Sequence, residues 1–216
     1  MKVFRKMRCA LLVFLGLLTV APVRSFGQVD TTNVWFSNGP EGLDAVLDLA
    51  IDPQFPGTLF AATRPGPVYR SLNHGAVWDS VGSVLADSVL SVAIAPSNTA
   101  VVYAGTGNGG VYRSADSGAN WAFAGLPGGQ VTVLAVDPTD ENRVFAGTPF
   151  TLHRSSDGGG IWIVVNPSTK AVDITALAIN PLMPDTVYAG TDALGVFRSR
   201  NGGGDLDPDQ CRTCEP

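Results

Sequence analysis

The sequence predicts an all-β fold, a β-propeller of four-stranded antiparallel blades, with about four blades in 216 residues. Two observations support this prediction. A segment of about 43 residues recurs four times, and each copy contains four short runs typical of β-strands. No helical periodicity competes with this pattern after residue 27. The blade number is compatible with one small ring or with a piece of a larger propeller.

Each repeat unit is marked by a proline that ends its first run. These prolines lie 43, 42 and 43 residues apart, at Pro53, Pro96, Pro138 and Pro181. Gly, Pro, Asn and Asp separate the runs, as turns between strands require. The first run also carries a small alanine that lets strands crowd around a channel, so we predict it as the innermost strand, at Ala50, Ala93, Ala135 and Ala178. The predicted units are 44–86, 87–129, 130–171 and 172–204.

A turn motif follows the third run of the first three units. Two copies read S-x-D-x-G-x-x-W, and one has Asn in place of Asp. The residues are Ser71, Asn73, Gly75 and Trp78; Ser114, Asp116, Gly118 and Trp121; and Ser155, Asp157, Gly159 and Trp162. The Asp or Asn side chain is predicted to accept backbone N–H bonds of its own turn, and glycine to supply a positive φ. The tryptophan is predicted to fold back into the core.

This motif resembles the Asp-box of BNR repeat propellers, and the resemblance covers residues 34–204 at the level of the repeat. That family includes sialidase-like, xyloglucanase-like, sortilin-like and photosystem-assembly-factor-like propellers. The resemblance implies the propeller fold and a structural role for the boxes at turns on the outer side of the blades. For Asp116, Asp157 and Asn73 the alternative is a weak surface cation site.

Residues 1–27 have the pattern of a secretory signal peptide. Four basic residues precede a 13-residue apolar run at 9–21, and the small residues Ser25 and Gly27 stand before the predicted cleavage site. The apolar run is shorter than a bilayer-spanning helix. An uncleaved membrane anchor is the alternative interpretation. We expect a secreted, periplasmic or cell-surface protein.

Beyond residue 27 the chain is acidic. It keeps 9 basic and 19 acidic residues, which gives a net charge of −10, and Lys170 is its single lysine. Nucleic acids and anionic lipids require basic patches. We therefore expect no nucleic-acid partner and no membrane contact after cleavage. We expect a monomer whose partner is a protein or a glycan, and no cofactor is predicted.

Cys211 and Cys214 remain after signal cleavage, as a C-x-x-C pair near the end of the sequence. A zinc site would need two more ligands, and His74 and His153 lie far away without motif spacing. We predict no metal site. A small terminal disulfide formed on export is the favoured interpretation.

The fourth unit departs from the repeat, because Leu206 stands where the tryptophan is expected. Residues 34–40 resemble a fourth strand that lacks the rest of its blade. Such a strand closes a propeller by pairing with its last blade. A closed four-blade ring with a tail at 205–216 is one expectation, and a fragment of a longer propeller is the other.

Ligands of propellers usually contact the loops between the second and third strands and the loops that lead into the innermost strands. The first set of loops offers Arg64, Asn108, Phe150 and Asp192 as candidates. The second set offers Asp44, Asp87 and Asp173, which would make the channel mouth negative. The alternative is that these acids are solvated loop residues.

No concentrated set of catalytic residues is visible in the sequence. A sialidase needs an arginine triad, and a two-carboxylate glycosidase needs a pair roughly 5–10 Å apart. Nothing singles out such a pair, so no catalytic residue is assigned. The sequence favours an exported, non-enzymatic binding or scaffold module, with a glycoside hydrolase, or a fragment of one, as the alternative.

Overall fold

The computed structural model describes residues 45–82, 88–126, 129–165 and 173–204, together with Gly39 and Leu85. All of them belong to the unit Asn38–Pro216. The predicted signal peptide, the predicted closing strand at 34–40 apart from Gly39, and the tail with Cys211 and Cys214 lie outside the described residues.

Fifteen strands and no helix form the described part of the chain, which confirms the all-β prediction. Within each sheet, strands that follow each other in sequence pair antiparallel. The second and third strands are joined by only two to four residues, rich in glycine or proline, and such a short connection requires antiparallel pairing. Blade 1 contains β1 (Ala45–Ile51), β2 (Leu59–Arg64), β3 (Val68–Ser71) and β4 (Asp79–Val81). Blade 2 contains β5 (Val89–Ile94), β6 (Val102–Thr106), β7 (Val111–Ser114) and β8 (Ala122–Phe123).

The other two sheets repeat this order. Blade 3 contains β9 (Val133–Val136), β10 (Val144–Thr148), β11 (Thr151–Ser155) and β12 (Ile163–Val164). Blade 4 has three described strands, β13 (Ile174–Ile179), β14 (Val187–Thr191) and β15 (Val196–Ser199). The register is similar as well, since β1, β5 and β13 each carry an irregularity near the start of the strand.

The core lies between blades rather than within them, because a blade is one sheet thick. Phe60 and Val68 of blade 1 pack against Val92, Ile94 and Trp121 of blade 2. The same arrangement recurs between blades 2 and 3 and between blades 3 and 4. Alternating side chains give each blade an outgoing face toward the next blade and an incoming face toward the preceding one.

Trp121 and Trp162 of the turn motif lie at these junctions between neighbouring blades. The Trp162 indole N–H donates to Gly159 O at 3.0 Å and to Ala124 O of the preceding blade at 2.7 Å. Trp121 is buried, and its N–H donates to Gly118 O at 3.0 Å. The tryptophan therefore fixes its own turn and packs on the preceding blade.

Serine organises each turn of the S-x-(D/N)-x-G type. Ser114 Oγ donates to Asp116 Oδ1 at 2.8 Å and accepts from Gly118 N at 2.9 Å. Asp116 Oδ1 also accepts from Asn120 N at 2.8 Å. Asn73 and Asn201 occupy the aspartate position in blades 1 and 4 and accept the same serine bond.

Arginines of the third strands in blades 1 and 3 link this turn to the next blade. Arg70 Nη1 donates to Ser117 O of the next blade at 2.7 Å, and Arg154 Nη1 donates to Gly202 O at 2.6 Å. Arg143 adds an ionic link, because it contacts Asp137 in its own blade and Asp185 Oδ1 in blade 4 at 2.8 Å. Neighbouring blades are therefore joined by both apolar and polar contacts.

Acid should weaken the fold through these turns. Hydrogen bonds from the Asn120 backbone, the Asn120 side chain and Ser114 lower the pKa of Asp116 from 3.8 to about 2. Bonds from Ile161 N and Ser155 also lower the pKa of Asp157. A carboxylate whose pKa is lower in the folded state contributes stability above its unfolded pKa and loses it as the pH falls. We expect the unfolding temperature to drop between about pH 4 and about pH 2.

The variant that carries both Asp116→Asn and Asp157→Asn should show a shallower drop in this range, measured by thermal unfolding followed by circular dichroism. Asn73 and Asn201 show that asparagine keeps the turn. Equal slopes for the variant and the parent chain would contradict this assignment.

Candidate ligand-binding face

The connections between the second and third strands of all four blades lie at the same end of each sheet. We call them the loop face: residues 65–67, 107–110, 149–150 and 192–195. A threonine at the end of each second strand pins the connection with its hydroxyl. These threonine hydroxyls donate to carbonyls across the hairpin at 2.6–3.0 Å, from Thr63 to Pro67, Thr106 to Gly110, Thr148 to Thr151 and Thr191 to Gly195.

Sequence reasoning missed these threonines as organisers of the face. The signal was present, because threonine ends the second run of all four units. A hydroxyl that bonds a carbonyl across a short hairpin reduces the freedom of the loop. The loop face is thus a set of fixed hairpins.

The four candidates from these hairpins all have exposed side chains. They are Arg64, Asn108, Phe150 and Asp192. Asp173 lies beside Asp192: its backbone N–H donates to Asp192 Oδ1 at 3.2 Å, and Asp192 N donates to Asp173 O at 3.2 Å. Asp44 and Asp87 lie outside the described residues, so a ring of three acids remains a prediction.

Phe150 is unusual within this face. Its side chain is 61% exposed, and its φ is 85°. The other three hairpins place a glycine with positive φ in the corresponding stretch: Gly66, Gly110 and Gly195. A bulky residue in this backbone region is strained by about 1–3 kcal/mol. The blade 3 hairpin therefore holds an aromatic ring in water at an energetic cost.

Phe150 borders a cavity of about 410 Å³ that spans blades 2 and 3. The lining is mixed apolar and neutral polar, from Leu126, Gly129, Gln130, Thr148, Pro149, Phe150, Thr151 and His153. No described residue of this lining carries a carboxylate. The cavity volume lies in the range of small-molecule sites.

A chain of neutral hydrogen-bonding groups runs along one wall of the cavity. Thr148 Oγ1 lies 2.5 Å from Thr151 Oγ1, which lies 2.8 Å from His153 Nε2. Burial lowers the pKa of His153 below 6.5, so the imidazole is neutral at neutral pH. The groups can donate and accept hydrogen bonds but add no charge to the wall.

The described residues contain no group of three or more His, Cys, Asp or Glu placed to hold a metal ion. Within the same part of the chain, no helix has the length and apolar character needed to cross a membrane. Asp173 and Asp192 are the acids that the structure brings together on the loop face.

The blades define this chain as a β-propeller, and comparison with solved structures supports that class. The structure is similar to an ancestral GH74 enzyme, with a TM-score of 0.66 and 25% identity over 78% of this chain and 24% of that one. It is also similar to the GH74 xyloglucanase of Xanthomonas campestris, with a TM-score of 0.67 and 20% identity over 83% and 31% of the two chains.

A third similar structure is the extracellular domain of a one-component system from B. thetaiotaomicron. The TM-score is 0.56, with 22% identity over 71% of this chain and 20% of that one. The chain thus spans about a quarter of the length of these proteins. No family model matches the sequence, and no curated protein matches it.

Proposed function

We propose that this chain is an exported, non-catalytic binding module of the BNR repeat type, which takes a neutral glycan on its loop face beside Phe150. Phe150 is the single observation that carries the proposal. Its ring stands exposed where the sister hairpins use glycine, next to a cavity with neutral polar walls.

The chemistry of the cavity fits a sugar. The flat apolar side of a pyranose stacks on an exposed aromatic ring, and its hydroxyl groups need neutral donors and acceptors. Gln130, Thr151 and His153 supply such groups around Phe150. The net charge of −10 beyond residue 27 disfavours an anionic ligand. The similar GH74 structures include a xyloglucanase, which makes xyloglucan-type β-glucans the ligands of first choice.

Phe150→Gly should separate binding from stability. The variant loses the stacking platform, so we expect the Kd for xyloglucan oligosaccharides to rise by at least about tenfold. It also relieves the backbone strain, so the free energy of unfolding should rise by about 1 kcal/mol. Titration calorimetry and urea unfolding measure the two quantities.

The control is Phe55→Ala, which removes a ring of similar exposure, 63%, from the bend between β1 and β2. This variant should leave the Kd unchanged. If Phe150→Gly binds as tightly as the parent chain, the site is not at Phe150. If the parent chain binds no neutral glycan in a broad screen, the proposed ligand class is wrong.

A glycoside hydrolase, or a fragment of one, is the second candidate function. The likeness to GH74 enzymes favours it, together with the contact between Asp173 and Asp192. Release of reducing ends from xyloglucan that is lost in Asp173→Asn or Asp192→Asn would support this candidate. Binding without release would support the non-catalytic module.

A further inference from the structure

The incoming face of blade 1 lacks the cover that its counterparts have. Leu49 and Ile51 are 59% and 60% exposed. The residues at the same repeat positions of blade 2, Val92 and Ile94, are 4% and 8% exposed because blade 1 packs on them. Val46 is 43% exposed, whereas Val89, at the same repeat position of blade 2, is fully buried. The inner strand of blade 1 therefore presents a row of unburied apolar side chains.

The outgoing face of blade 4 also lacks a blade that covers it among the described residues. Tyr188 is 37% exposed and Val196 is 61% exposed. The same positions in blades 1, 2 and 3 are fully buried by the following blade: Phe60 with Val68, Tyr103 with Val111, and Phe145 with Leu152. Among the described residues, blade 4 thus does not cover blade 1, in contrast to a closed four-blade ring, which is one of the two expectations from the sequence.

The two open faces are complementary, because the molecule already contains three junctions of the same kind. At two of them an outgoing aromatic ring lies against the turn glycine of the next blade, Phe60 against Gly118 and Phe145 against Gly203. At the third, the Tyr103 hydroxyl donates to Glu141 O of blade 3 at 2.8 Å. Tyr188 and Gly75 hold the corresponding positions in blades 4 and 1.

The polar part of the junction is also preserved at both ends. Arg70 donates to the carbonyl of Ser117, whose φ is 56°. In blade 1 the equivalent carbonyl belongs to His74, whose φ is 59°. Arg198 of blade 4 occupies the register position of Arg70, opposite the aromatic residue of the second strand. The turn of blade 1 therefore presents its carbonyl in the conformation that accepts the arginine.

We infer that two copies of this chain associate head to tail, the outgoing face of blade 4 in each copy packing on the incoming face of blade 1 in the other. Two such junctions are related by a twofold axis and close a ring of eight blades, which is within the range of known propellers. The expectation from the sequence is a monomer. The exposed apolar faces favour a pair, because soluble monomers rarely leave such contiguous patches in water.

The first test is the mass of the chain in solution, measured by sedimentation equilibrium over a range of concentrations. A mass of two chains is expected. One chain at every concentration overturns the proposal, and so do open polymers, because they show that the two junctions do not close.

The second test uses two variants with charges on opposite faces. Leu49→Asp with Ile51→Asp disables the incoming face, and Tyr188→Asp with Val196→Asp disables the outgoing face. Each variant alone should associate at least about a hundredfold more weakly, because apolar side chains of this size lose their burial. The positions are already exposed, so the fold should persist, and near-UV circular dichroism checks this.

Mixing the two variants distinguishes head-to-tail packing from other modes. One intact outgoing face then meets one intact incoming face, so a heterodimer with a single junction should form. Failure of the mixture to associate, or dimerisation of either variant alone, contradicts the proposal. Ile161→Asp is the control, since Ile161 is 69% exposed but belongs to the turn of blade 3. This control should associate like the parent chain.

Discussion

Phe145→Ala is expected to lower the free energy of unfolding by about 3–5 kcal/mol. The ring is fully buried between blades 3 and 4, where it lies in one cluster with Ile174 and Val187 and packs on Gly203. Truncation removes the apolar contact and leaves a cavity that the rigid sheets cannot fill. Urea unfolding followed by tryptophan fluorescence measures the loss.

Tyr188→Ala provides the matched control for this prediction. Tyr188 holds the same register position in blade 4 but is 37% exposed. In dilute solution, where copies are separate, its truncation should cost clearly less than that of Phe145. Equal costs would mean that the junctions, in which the outgoing ring is buried, are not the main source of stability.

Gly159→Ala should cost about 3 kcal/mol or more, for two reasons. The residue has a φ of 104°, which side chains other than glycine rarely adopt. An added Cβ would also lie 2.5 Å from Ala124 O, a backbone atom of the preceding blade. The blades would have to move apart, so we expect the Trp162 bond to Ala124 O to be lost as well.

Gly160→Ala is the control in the same turn. The atoms nearest to its added Cβ would belong to the exposed side chain of Asp157, the closest being Oδ2 at 3.0 Å. This oxygen can shift slightly while Oδ1 keeps its bonds from Ser155 and Ile161 N. Denaturant midpoints should therefore differ strongly between two adjacent glycines. A small effect at Gly159 would show that the junction tolerates displacement.

Much of the fold could be predicted, because the repeat carries its own strand boundaries. The run at 68–71 is the strand Val68–Ser71, and the run at 59–63 extends one residue further, to Arg64. The fourth strands are where the predicted runs and the observed strands agree least. In blades 2 and 3 they have only two residues, Ala122–Phe123 and Ile163–Val164, because the tryptophan before each of them leaves the sheet to pack on the preceding blade.

The candidate site was predictable only as a set of loops. The sequence placed Phe150 on the loop face, but its strained conformation arises from the two-residue hairpin between β10 and β11. Such a hairpin requires a positive φ, and no sequence pattern assigns that φ to a phenylalanine. The cavity beside it depends on how two blades meet, which is a tertiary property that the repeat does not encode.

Because the three junctions between blades are alike, the number of neighbours of each blade determines the order in which the blades unfold. Among the described strands, the extensive contacts between blades join immediate neighbours, so cooperativity passes from blade to blade as it does in a one-dimensional array. Within a single separate chain, blades 2 and 3 have two neighbours each, whereas blades 1 and 4 have one. Opening fluctuations should start in the terminal blades and reach β6 and β10 last, which makes each end a separate unit of partial unfolding.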